Sequence, residues 1–336
     1  MQALVIAGGF GTRLRPLTYS RPKALVPLLN RPQILHLLDG LPASVDMVLI
    51  AVNYRYEEVR DFFKAHDLGR DVTVIHEEEP LGTGGAIKNV EGHIDGRFLA
   101  MNGDVIDALD MSDVVAFHEA RRAVATLVVT PVEDPTTFGV VAFEGDRVTR
   151  FVEKPNADEA PSNLINAGRY VFESTIFDLI PKGRSVSLER EVFPALIPKG
   201  LAMYRYDGLW SDAGTLTSYL AAQGLLLAAG RGGVARDADV ARADLVPHVL
   251  VGGGGSAEGR LGPNVVVGHG CRVGRATVDH AALFDGASVD DKAHVSHAIL
   301  GERVAVGEGA VVRDSIVGDG MQVPPHATVV DARVAA

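Results

Sequence analysis

The chain has 336 residues and a formal net charge of −11, which argues against a nucleic-acid-binding protein, because such proteins present a basic face. Hydrophobic residues make up 47% and charged residues 22%, proportions typical of a well-packed protein rather than a disordered one. The single cysteine, Cys271, cannot form an internal disulfide, and no run approaches the ~18 apolar residues of a membrane helix. We therefore expect a cytoplasmic protein of about two domains that binds neither membrane nor nucleic acid.

Short apolar runs alternate with amphipathic segments through the first two thirds of the chain. Continuous apolar strands between helices predict an α/β domain whose mostly parallel sheet is covered on both faces. Ligands of such sheets bind at the carboxyl ends of the strands, where Gly8–Arg13 and Asp104 lie. The predicted strands are 3–7, 47–52, 72–75, 98–101 and 125–130, the predicted helices are 32–38, 56–66 and 113–122, and 139–143 with 147–152 form a predicted hairpin.

Residues 230–245 are polar and rich in glycine and aspartate, so we interpret them as a linker between a domain at 1–229 and a tail at 246–336. In the tail, aliphatic residues recur every 17 positions, with steps of six, six and five. That spacing predicts a triangular solenoid of about four to five coils, and disfavours a sandwich of short strands. The tail resembles the hexapeptide-repeat left-handed parallel β-helix. The three series are Val278, Val295, Val312 and Val329; Leu283, Leu300, Val317 and Val334; and Val289, Val306 and Val323.

A glycine-rich turn, Gly8–Arg13, follows the first predicted strand. Its glycines let backbone N–H groups approach an anion closely, because no Cβ blocks the way. The turn is neither a Walker A loop nor a complete dinucleotide-binding motif, since the required Gly-Lys-Ser/Thr and third glycine are missing. Two cations, Arg13 in the turn and Lys23 in a proline-bracketed segment expected to be extended, suit a triphosphate.

A series of short motifs runs in order through the first domain: GGFGTRLRPLT, PKALVP, EPLGTGGA, NGD, FGVV, VEKP, NAG, EREVFP and WSDAGT. On these motifs the chain resembles the sugar-1-phosphate nucleotidylyltransferases, and among them most the mannose-1-phosphate guanylyltransferases. The resemblance implies a Rossmann-like nucleotidyltransferase domain with a mixed, mostly parallel sheet. It also implies an enzyme that transfers a nucleotidyl group from GTP to mannose 1-phosphate, giving GDP-mannose and pyrophosphate.

The same resemblance implies site residues. Arg13 and Lys23 would hold the triphosphate, and Asp104 and Asp212 a Mg²⁺ ion, whose hard charge suits carboxylate oxygens. Nucleotide binding is implied for Ala7, Gly8, Gly9, Gly11, Thr12, Arg13, Lys23, Glu77, Pro80, Gly82, Thr83, Asn102 and Asp104. Sugar-phosphate binding is implied for Gly139, Glu153, Lys154, Asn166, Gly168, Glu189 and Asp212. An exposed Glu153–Lys154 ion pair, and a solvated helix face bearing Glu189 and Glu191, are the structural alternatives.

Glu77 stands five residues before Gly82, where uridylyl and thymidylyl relatives place a glutamine. Guanine presents two adjacent donors, N1–H and N2–H, which one carboxylate can accept together. Uracil and thymine present one donor between acceptors, which suits an amide instead. Glu77 therefore favours GTP, with Glu78 and Glu79 as alternatives, because the alignment rests on spacing alone.

Several alternatives stay open at the level of sequence. A heptose 1-phosphate could replace mannose 1-phosphate, and the enzyme could instead be a thymidylyl- or uridylyltransferase acting on glucose 1-phosphate. A non-catalytic regulatory subunit that binds a sugar nucleotide is a third possibility, disfavoured by the joint presence of the two predicted cations and two predicted carboxylates. We expect the β-helix to form a homo-oligomer, a dimer or tetramer. The histidines of the tail are expected to be ordinary surface residues: His280, His294, His297 and His326.

Overall fold

The computed structural model describes residues 1–335, which form two compact units. The first unit contains Met1–Gly9 and Leu37–Trp210. The second contains Phe10–His36 and the described chain from Ser211 onward. The chain thus leaves the first unit inside the glycine-rich turn, so the predicted site residues are distributed over both units.

A nine-stranded mixed sheet is the centre of the first unit. Its apolar strands are buried on both faces, as the sequence predicts, by Leu4, Leu49, Phe98, Leu127 and Tyr170 among others. Four strands at one side run parallel, and the other side is antiparallel except for one parallel pair, Ala125–Pro131 with Leu201–Arg205. The order across the sheet is Asp71–His76, Met47–Val52, Gln2–Ile6, Phe98–Asn102, Leu164–Phe172, Ala125–Pro131, Leu201–Arg205, Arg147–Glu153 and Gly139–Glu144.

The parallel register brings the carboxyl ends of four strands to one edge of this sheet. Ile6 pairs with Ala51 on one side and with Asn102 on the other, and Val52 pairs with His76. The residues that follow each strand, Ala7, Asn53, Glu77 and Gly103, therefore emerge side by side. This confirms the parallel strands, whereas ligand binding at their carboxyl edge stays a prediction.

Two helices show an amphipathic segment or a favourable first turn, with acidic residues in one and a capping side chain in the other. Val59 and Phe63 bury one face of the helix Tyr56–Ala65, and Glu57 and Glu58 lie in its first turn, where acidic groups favour the helix dipole. The Asp110 side chain caps the helix Met111–Arg121 by accepting the Ser112 N–H. The α-helices are Leu17–Ser20, Gln33–Asp39, Tyr56–Ala65, Gly82–Asn89, Met111–Arg121, Phe193–Gly200 and Leu216–Leu226. No helix among residues 1–335 is both long enough and apolar enough to cross a membrane.

Three parallel sheets make up most of the second unit and confirm the 17-residue repeat. Val278 pairs with Val295, Val295 with Val312, and Val312 with Val329, and the inward side chains of all three sheets form one core. The first sheet is Gly233–Val234, Val249–Val251, Val265–Val267, Ala281–Leu283, Ile299–Leu300, Ile316–Val317 and Arg333–Val334. The second is Asp244–Leu245, Arg260–Leu261, Thr277–Asp279, His294–Ser296, Val311–Arg313 and Thr328–Val330. The third is Ser256–Ala257, Arg272–Val273, Ser288–Val289, Ala305–Val306 and Gln322–Val323.

The β-helix is longer than the sequence pattern suggests, because it begins before the predicted boundary. Gly233–Val234 pairs with Leu250–Val251, and Asp244–Leu245 with Arg260–Leu261, so strands already occur within the segment interpreted as a linker. The first coil is polar because it is terminal and has a neighbour on one side only. An atypical terminal coil lacks the aliphatic repeat by which the others are found.

Arg21 ties the segment Phe10–His36 to the β-helix inside the second unit. Its guanidinium lies 2.7 Å from Glu302 and 2.6 Å from Asp319, and the Arg21 side chain is only 14% exposed. Burial alone would raise the pKa of the Asp319 carboxyl, but the Ser20 hydroxyl and the Arg21 charge outweigh it and hold that pKa below its usual range. Both carboxylates are therefore compensated in the folded chain.

Replacing Arg21 by alanine leaves two partly buried carboxylates without their shared cation. We expect Arg21→Ala to lower the free energy of unfolding by about 2–3 kcal/mol, since a broken buried pair costs more than the pair contributes. Urea unfolding monitored by circular dichroism measures this. Arg303→Ala is the matched control, because Arg303 is 73% exposed and contacts the same Glu302 at 3.6 Å. We expect a change of at most about 0.5 kcal/mol there; equal losses in the two variants would contradict the argument.

Candidate functional site

Glu77 is the buried carboxylate at the strand edge of the first unit. Its side chain is 4% exposed, whereas Glu78 and Glu79 are exposed. A Cβ added to Gly8 would lie 3.0 Å from Glu77 Oε2, so Gly8 lets the turn pass directly over this carboxylate. Among the described residues Glu77 Oε1 has no hydrogen-bond partner. Burial, opposed by the Leu81 backbone N–H, raises the pKa of Glu77 to about 7.

Asn53 is a neighbour of Glu77 that sequence reasoning missed. Its side-chain amide donates to the Glu77 carbonyl at 2.7 Å, and its backbone lies beside Gly8. Its place at this edge was predictable from the sequence, because Asn53 directly follows the strand Met47–Val52. The neighbouring loop is tight too: the Gly103 N–H donates to the Ile6 carbonyl at 2.9 Å, ahead of the half-buried Asp104.

The glycines at 82, 84 and 85 lie close to the segment Arg184–Val186. Gly82 has φ +70°, and a Cβ there would lie 2.6 Å from the Val186 carbonyl oxygen. The Gly84 N–H donates to that same carbonyl at 2.8 Å, and Val186 returns a hydrogen bond to Leu81 at 2.9 Å. These glycines therefore let the start of the helix Gly82–Asn89 pack against Val186. By contrast, a Cβ on Gly9 would meet no atom within 4 Å.

Thr83 is hydrogen-bonded to Glu189. The first was predicted to contact the nucleotide and the second the sugar. The Thr83 hydroxyl donates to Glu189 at 2.8 Å and accepts the Leu188 N–H at 2.9 Å. The Ser187 hydroxyl donates to the same carboxylate at 2.7 Å. Glu189 is thus fixed by hydrogen bonds rather than lying on a freely solvated face. Pro80, just before these residues, is exposed.

Tyr170 hydrogen-bonds both Asn102, predicted to bind the nucleotide, and Asn166, predicted to bind the sugar. Its hydroxyl accepts a hydrogen bond from the Asn166 side-chain amide at 2.8 Å and is also hydrogen-bonded to the Asn102 side chain. Gly168 has φ +72°, and a Cβ there would lie 2.8 Å from Asn102 Nδ2. Asn102, Asn166 and Gly168 therefore meet in one place. Asn102 Oδ1 is buried and has no hydrogen-bond partner among the described residues.

Glu153 and Lys154 end the strand Arg147–Glu153. The Lys154 ammonium is 3.6 Å from Glu153, and the Lys154 side chain is 61% exposed. Burial and the charge of Glu189 raise the pKa of Glu153, against the opposing effect of Lys154. A Cβ on Gly139 would lie 2.3 Å from the Phe151 ring and 2.9 Å from Glu153 Oε2. Gly139 therefore makes room for these side chains.

Arg13, Lys23 and Asp212 converge in the second unit. A Cβ added to Gly214 would lie 2.9 Å from Arg13 Nη2, 3.1 Å from Asp212 Oδ2 and 3.3 Å from Lys23 Nζ. Two cations and one carboxylate around a residue without a side chain leave a net positive charge, which suits an anionic ligand. The sequence predicts the three charged residues, whereas Gly214, at their centre, belongs to a motif but has no predicted role.

The turn that carries Arg13 is held from within the second unit. Gly11 has φ +62°, and a Cβ there would lie 2.8 Å from Thr18 and 3.1 Å from Lys23. The Thr18 hydroxyl donates to the Gly11 carbonyl at 2.9 Å. One expectation changes, because Lys23 begins a short 3₁₀ turn, Lys23–Leu25, rather than an extended segment. Asp212 ends the strand Trp210–Asp212. Thr12 and Arg13 form a 3₁₀ turn with Leu14.

Comparison with known proteins agrees with this arrangement. A family model described as Nucleotidyl transferase matches residues 2–228, and one described as GMPPB C-terminal domain matches residues 254–336. The chain belongs to the nucleotidyl transferase family. This confirms the resemblance drawn from the motifs, and with it the fold of a Rossmann-like transferase domain followed by parallel β-helix sheets.

Curated relatives of this nucleotidyl transferase are similar over most of its length. The mannose-1-phosphate guanylyltransferase of Mycobacterium tuberculosis is 38% identical over 304 residues, which cover 86% of this chain and 81% of that protein. The mannose-1-phosphate guanyltransferase of Schizosaccharomyces pombe is 36% identical over 282 residues, which cover 81% and 74%.

Solved structures share the transferase fold. HddC from Yersinia pseudotuberculosis, complexed with GMP-PN, matches with a TM-score of 0.55 and 25% identity, over 66% of this chain and 97% of that one. A UDP-glucose pyrophosphorylase complexed with UDP-glucose matches with a TM-score of 0.58 over 66% and 96%. At 21% identity the second likeness shows the fold alone.

Gly214 offers a direct test of the charged cluster. We expect Gly214→Ala to lower kcat/KM by at least about tenfold, because the new Cβ displaces three side-chain ends that must be positioned together. The unfolding midpoint should change little, since those ends are flexible. Gly92→Ala is the control, because a Cβ on Gly92 meets no atom within 4 Å. Equal activity of both variants in a pyrophosphate-release assay would contradict this role of the cluster.

Proposed function

We propose that this nucleotidyl transferase is a mannose-1-phosphate guanylyltransferase, which converts GTP and mannose 1-phosphate into GDP-mannose and pyrophosphate. The convergence of Arg13, Lys23 and Asp212 around Gly214 carries the proposal. The names of the curated relatives from Mycobacterium tuberculosis and Schizosaccharomyces pombe support the choice of base and sugar.

The reaction joins two anions and therefore needs charge neutralisation more than a strong base. A phosphate oxygen of the sugar phosphate bonds to the α-phosphorus of GTP, and the bond from that phosphorus to the bridging oxygen breaks. The electron pair leaves with pyrophosphate. In our proposal Arg13 holds the β- and γ-phosphates, and Lys23 offsets charge at the α-phosphate. A nucleophile that is already ionised needs no side chain to deprotonate it.

Nucleotidyl transferases of this family generally use a divalent metal ion. We propose Mg²⁺, with Asp104 and Asp212 as its protein ligands. Both are half-buried carboxylates, which offer the hard oxygen donors that Mg²⁺ prefers. When bound, the ion would neutralise phosphate charge in the ground and transition states.

Base recognition is assigned to Glu77 in this proposal. A buried carboxylate with an unpartnered oxygen is a suitable acceptor for the N1–H and N2–H donors of guanine. The likeness to HddC, whose structure was solved in complex with GMP-PN, supports nucleotide binding by this chain. Glu78 and Glu79 are less suited, because exposed carboxylates remain hydrated.

The sugar-phosphate site is assigned to the residues around Tyr170 and Glu189. Asn166 and Gly168 are proposed to contact the sugar, with Glu153 and Glu189 bonding its hydroxyl groups and Lys154 its phosphate. Glu153 and Glu189 interact electrostatically, which fits two carboxylates facing one polyhydroxylated ligand. A carbonyl or carboxylate that bonds the axial hydroxyl of mannose would discriminate against glucose.

A substrate panel tests the proposed function. GTP, UTP, dTTP and ATP are each combined with mannose 1-phosphate, glucose 1-phosphate and a heptose 1-phosphate, and pyrophosphate release is measured. We expect the highest kcat/KM for GTP with mannose 1-phosphate. Preference for glucose 1-phosphate with dTTP or UTP would replace the proposal, and no release with any pair would favour a regulatory subunit.

The pKa of Glu77 predicts a pH dependence of GTP binding. Guanine donors require the ionised carboxylate, so the KM for GTP should fall as the pH rises toward about 7 and level off above it. Glu77→Gln should remove this dependence and relax base choice toward UTP or dTTP. Initial rates from pH 5.5 to 8.5 measure both effects; an unchanged profile and preference in the variant would count against Glu77.

The same pKa predicts an effect on stability in the absence of ligand. Between the ordinary carboxyl pKa of 4.5 and the folded value of about 7, the folded chain keeps a proton that the unfolded chain releases. The contribution of Glu77 to stability is therefore present at low pH and is lost as the pH rises through this window. Glu77→Gln should lack this contribution when the free energy of unfolding is measured against pH in urea. A profile identical to that of the parent chain would contradict the raised pKa.

We also propose that the β-helix mediates self-association into a dimer or tetramer, since solenoid ends and flat faces favour it. Light scattering after size exclusion measures the mass in solution, and a monomer at micromolar concentration would contradict this proposal.

A further inference from the structure

Four side chains that can bind a transition metal meet at one corner of the β-helix. Asp279 ends the strand Thr277–Asp279, and His280 follows it. His294 begins the neighbouring strand of the next coil, opposite Thr277, and His297 follows the end of that strand. The 17-residue repeat therefore aligns His280 with His297 on successive coils.

Their ligand atoms are close together. The His280 Nδ1 atom lies 3.0 Å from Asp279 Oδ1, and the His294 Nε2 atom lies 3.3 Å from Asp279 Oδ2. The rings of His280 and His297 are stacked, with centroids 4.7 Å apart and planes 3° from parallel. One ligand atom from each of Asp279, His280 and His297 can be chosen so that all three lie within 4.8 Å of one another.

Backbone conformation accounts for only part of this cluster. His280 and His297 have φ values of +43° and +48°, a region that histidine, asparagine and aspartate tolerate better than most residues. That preference explains the residue types at these two positions. It does not apply to Asp279 or His294, which are strand residues outside the left-handed region. Asp279 lies beside two histidines, 3.0 Å from His280 and 3.3 Å from His294.

The distances fit a shared metal ion. Metal–nitrogen and metal–oxygen bonds of about 2.0–2.2 Å place two ligand atoms on a tetrahedral ion roughly 3.3 Å apart. The distance from Asp279 Oδ1 to His280 Nδ1, 3.0 Å, is close to this size. The His297 ring lies parallel to that of His280, so it must rotate until its nitrogen lone pair points at the ion, which its exposed position allows.

We propose that Asp279, His280 and His297 bind one transition-metal ion. Imidazole nitrogens with one carboxylate suit Zn²⁺ or Co²⁺ rather than Mg²⁺, which prefers oxygen. The ion would cross-link two successive coils through side chains 17 positions apart in the sequence. Metal binding would therefore stabilise the folded β-helix, independently of any transferase activity.

The probe is Zn²⁺ itself, added to the full chain after treatment with a chelator and its removal. Isothermal titration should give one ion per chain with a micromolar dissociation constant, and the melting temperature should rise. Co²⁺ should give the visible absorption of a tetrahedral complex. Excess Mg²⁺ should not compete, because it lacks affinity for imidazole.

The test variant is His280→Asn with His297→Asn, because asparagine tolerates the same left-handed backbone and keeps the chain folded. We expect at least a hundredfold weaker Zn²⁺ binding and loss of the Co²⁺ spectrum. The matched control, His269→Asn with His326→Asn, removes two other β-helix histidines and should bind normally. Absence of Zn²⁺ binding to the parent chain, or equal affinity in the test variant and the control, would overturn the proposal.

Discussion

The double ion pair of Arg21 is the constraint that holds the segment carrying Arg13 and Lys23 on the β-helix within the second unit. Arg21 stands two residues before Lys23, and its guanidinium is fixed by Glu302 and Asp319, which lie 281 and 298 positions further along the chain. Pro16 packs on the same part of the β-helix, because a Cβ on Gly318 would lie 3.0 Å from its ring. Arg13 and Lys23 carry like charges that repel each other, so they stay together only on a segment that is held from outside. The β-helix supplies that support.

The first unit has a different constraint, because two of its buried side-chain oxygen atoms lack a hydrogen-bond partner. Glu77 Oε1 and Asn102 Oδ1 are buried acceptors without partners among the described residues, and both belong to the carboxyl edge of the parallel strands. A buried polar atom left in this state destabilises the chain that contains it. A ligand rich in N–H and O–H donors would give both acceptors a partner. Guanine and a sugar are such ligands.

The sequence predicts most of the fold because two periodicities are strong. Apolar strands between helices define the sheet, and the 17-residue spacing of Val278 and Val295 defines the β-helix register. The motifs identify the candidate site residues, but they do not predict which other residues of the chain these contact. Gly82 resembles part of a nucleotide loop, yet its close contact is with Val186, far along the chain. The first coil of the β-helix escaped prediction because a terminal coil lacks the aliphatic repeat, and Gly214 because nothing local reveals which side chains surround it.

The spacing of the coils explains why the proposed metal site at Asp279, His280 and His297 needs residues from more than one position of the 17-residue repeat. Successive coils are spaced like neighbouring strands of a sheet, about 4.8 Å apart, and the stacked rings of His280 and His297 reproduce that spacing at 4.7 Å. Ligand atoms on one tetrahedral ion stand closer than this, at roughly 3.3 Å. A straight ladder of identical residues therefore cannot complete a coordination shell. Asp279 adds a ligand at shorter range, because its Oδ1 atom lies 3.0 Å from His280 Nδ1 within the same coil.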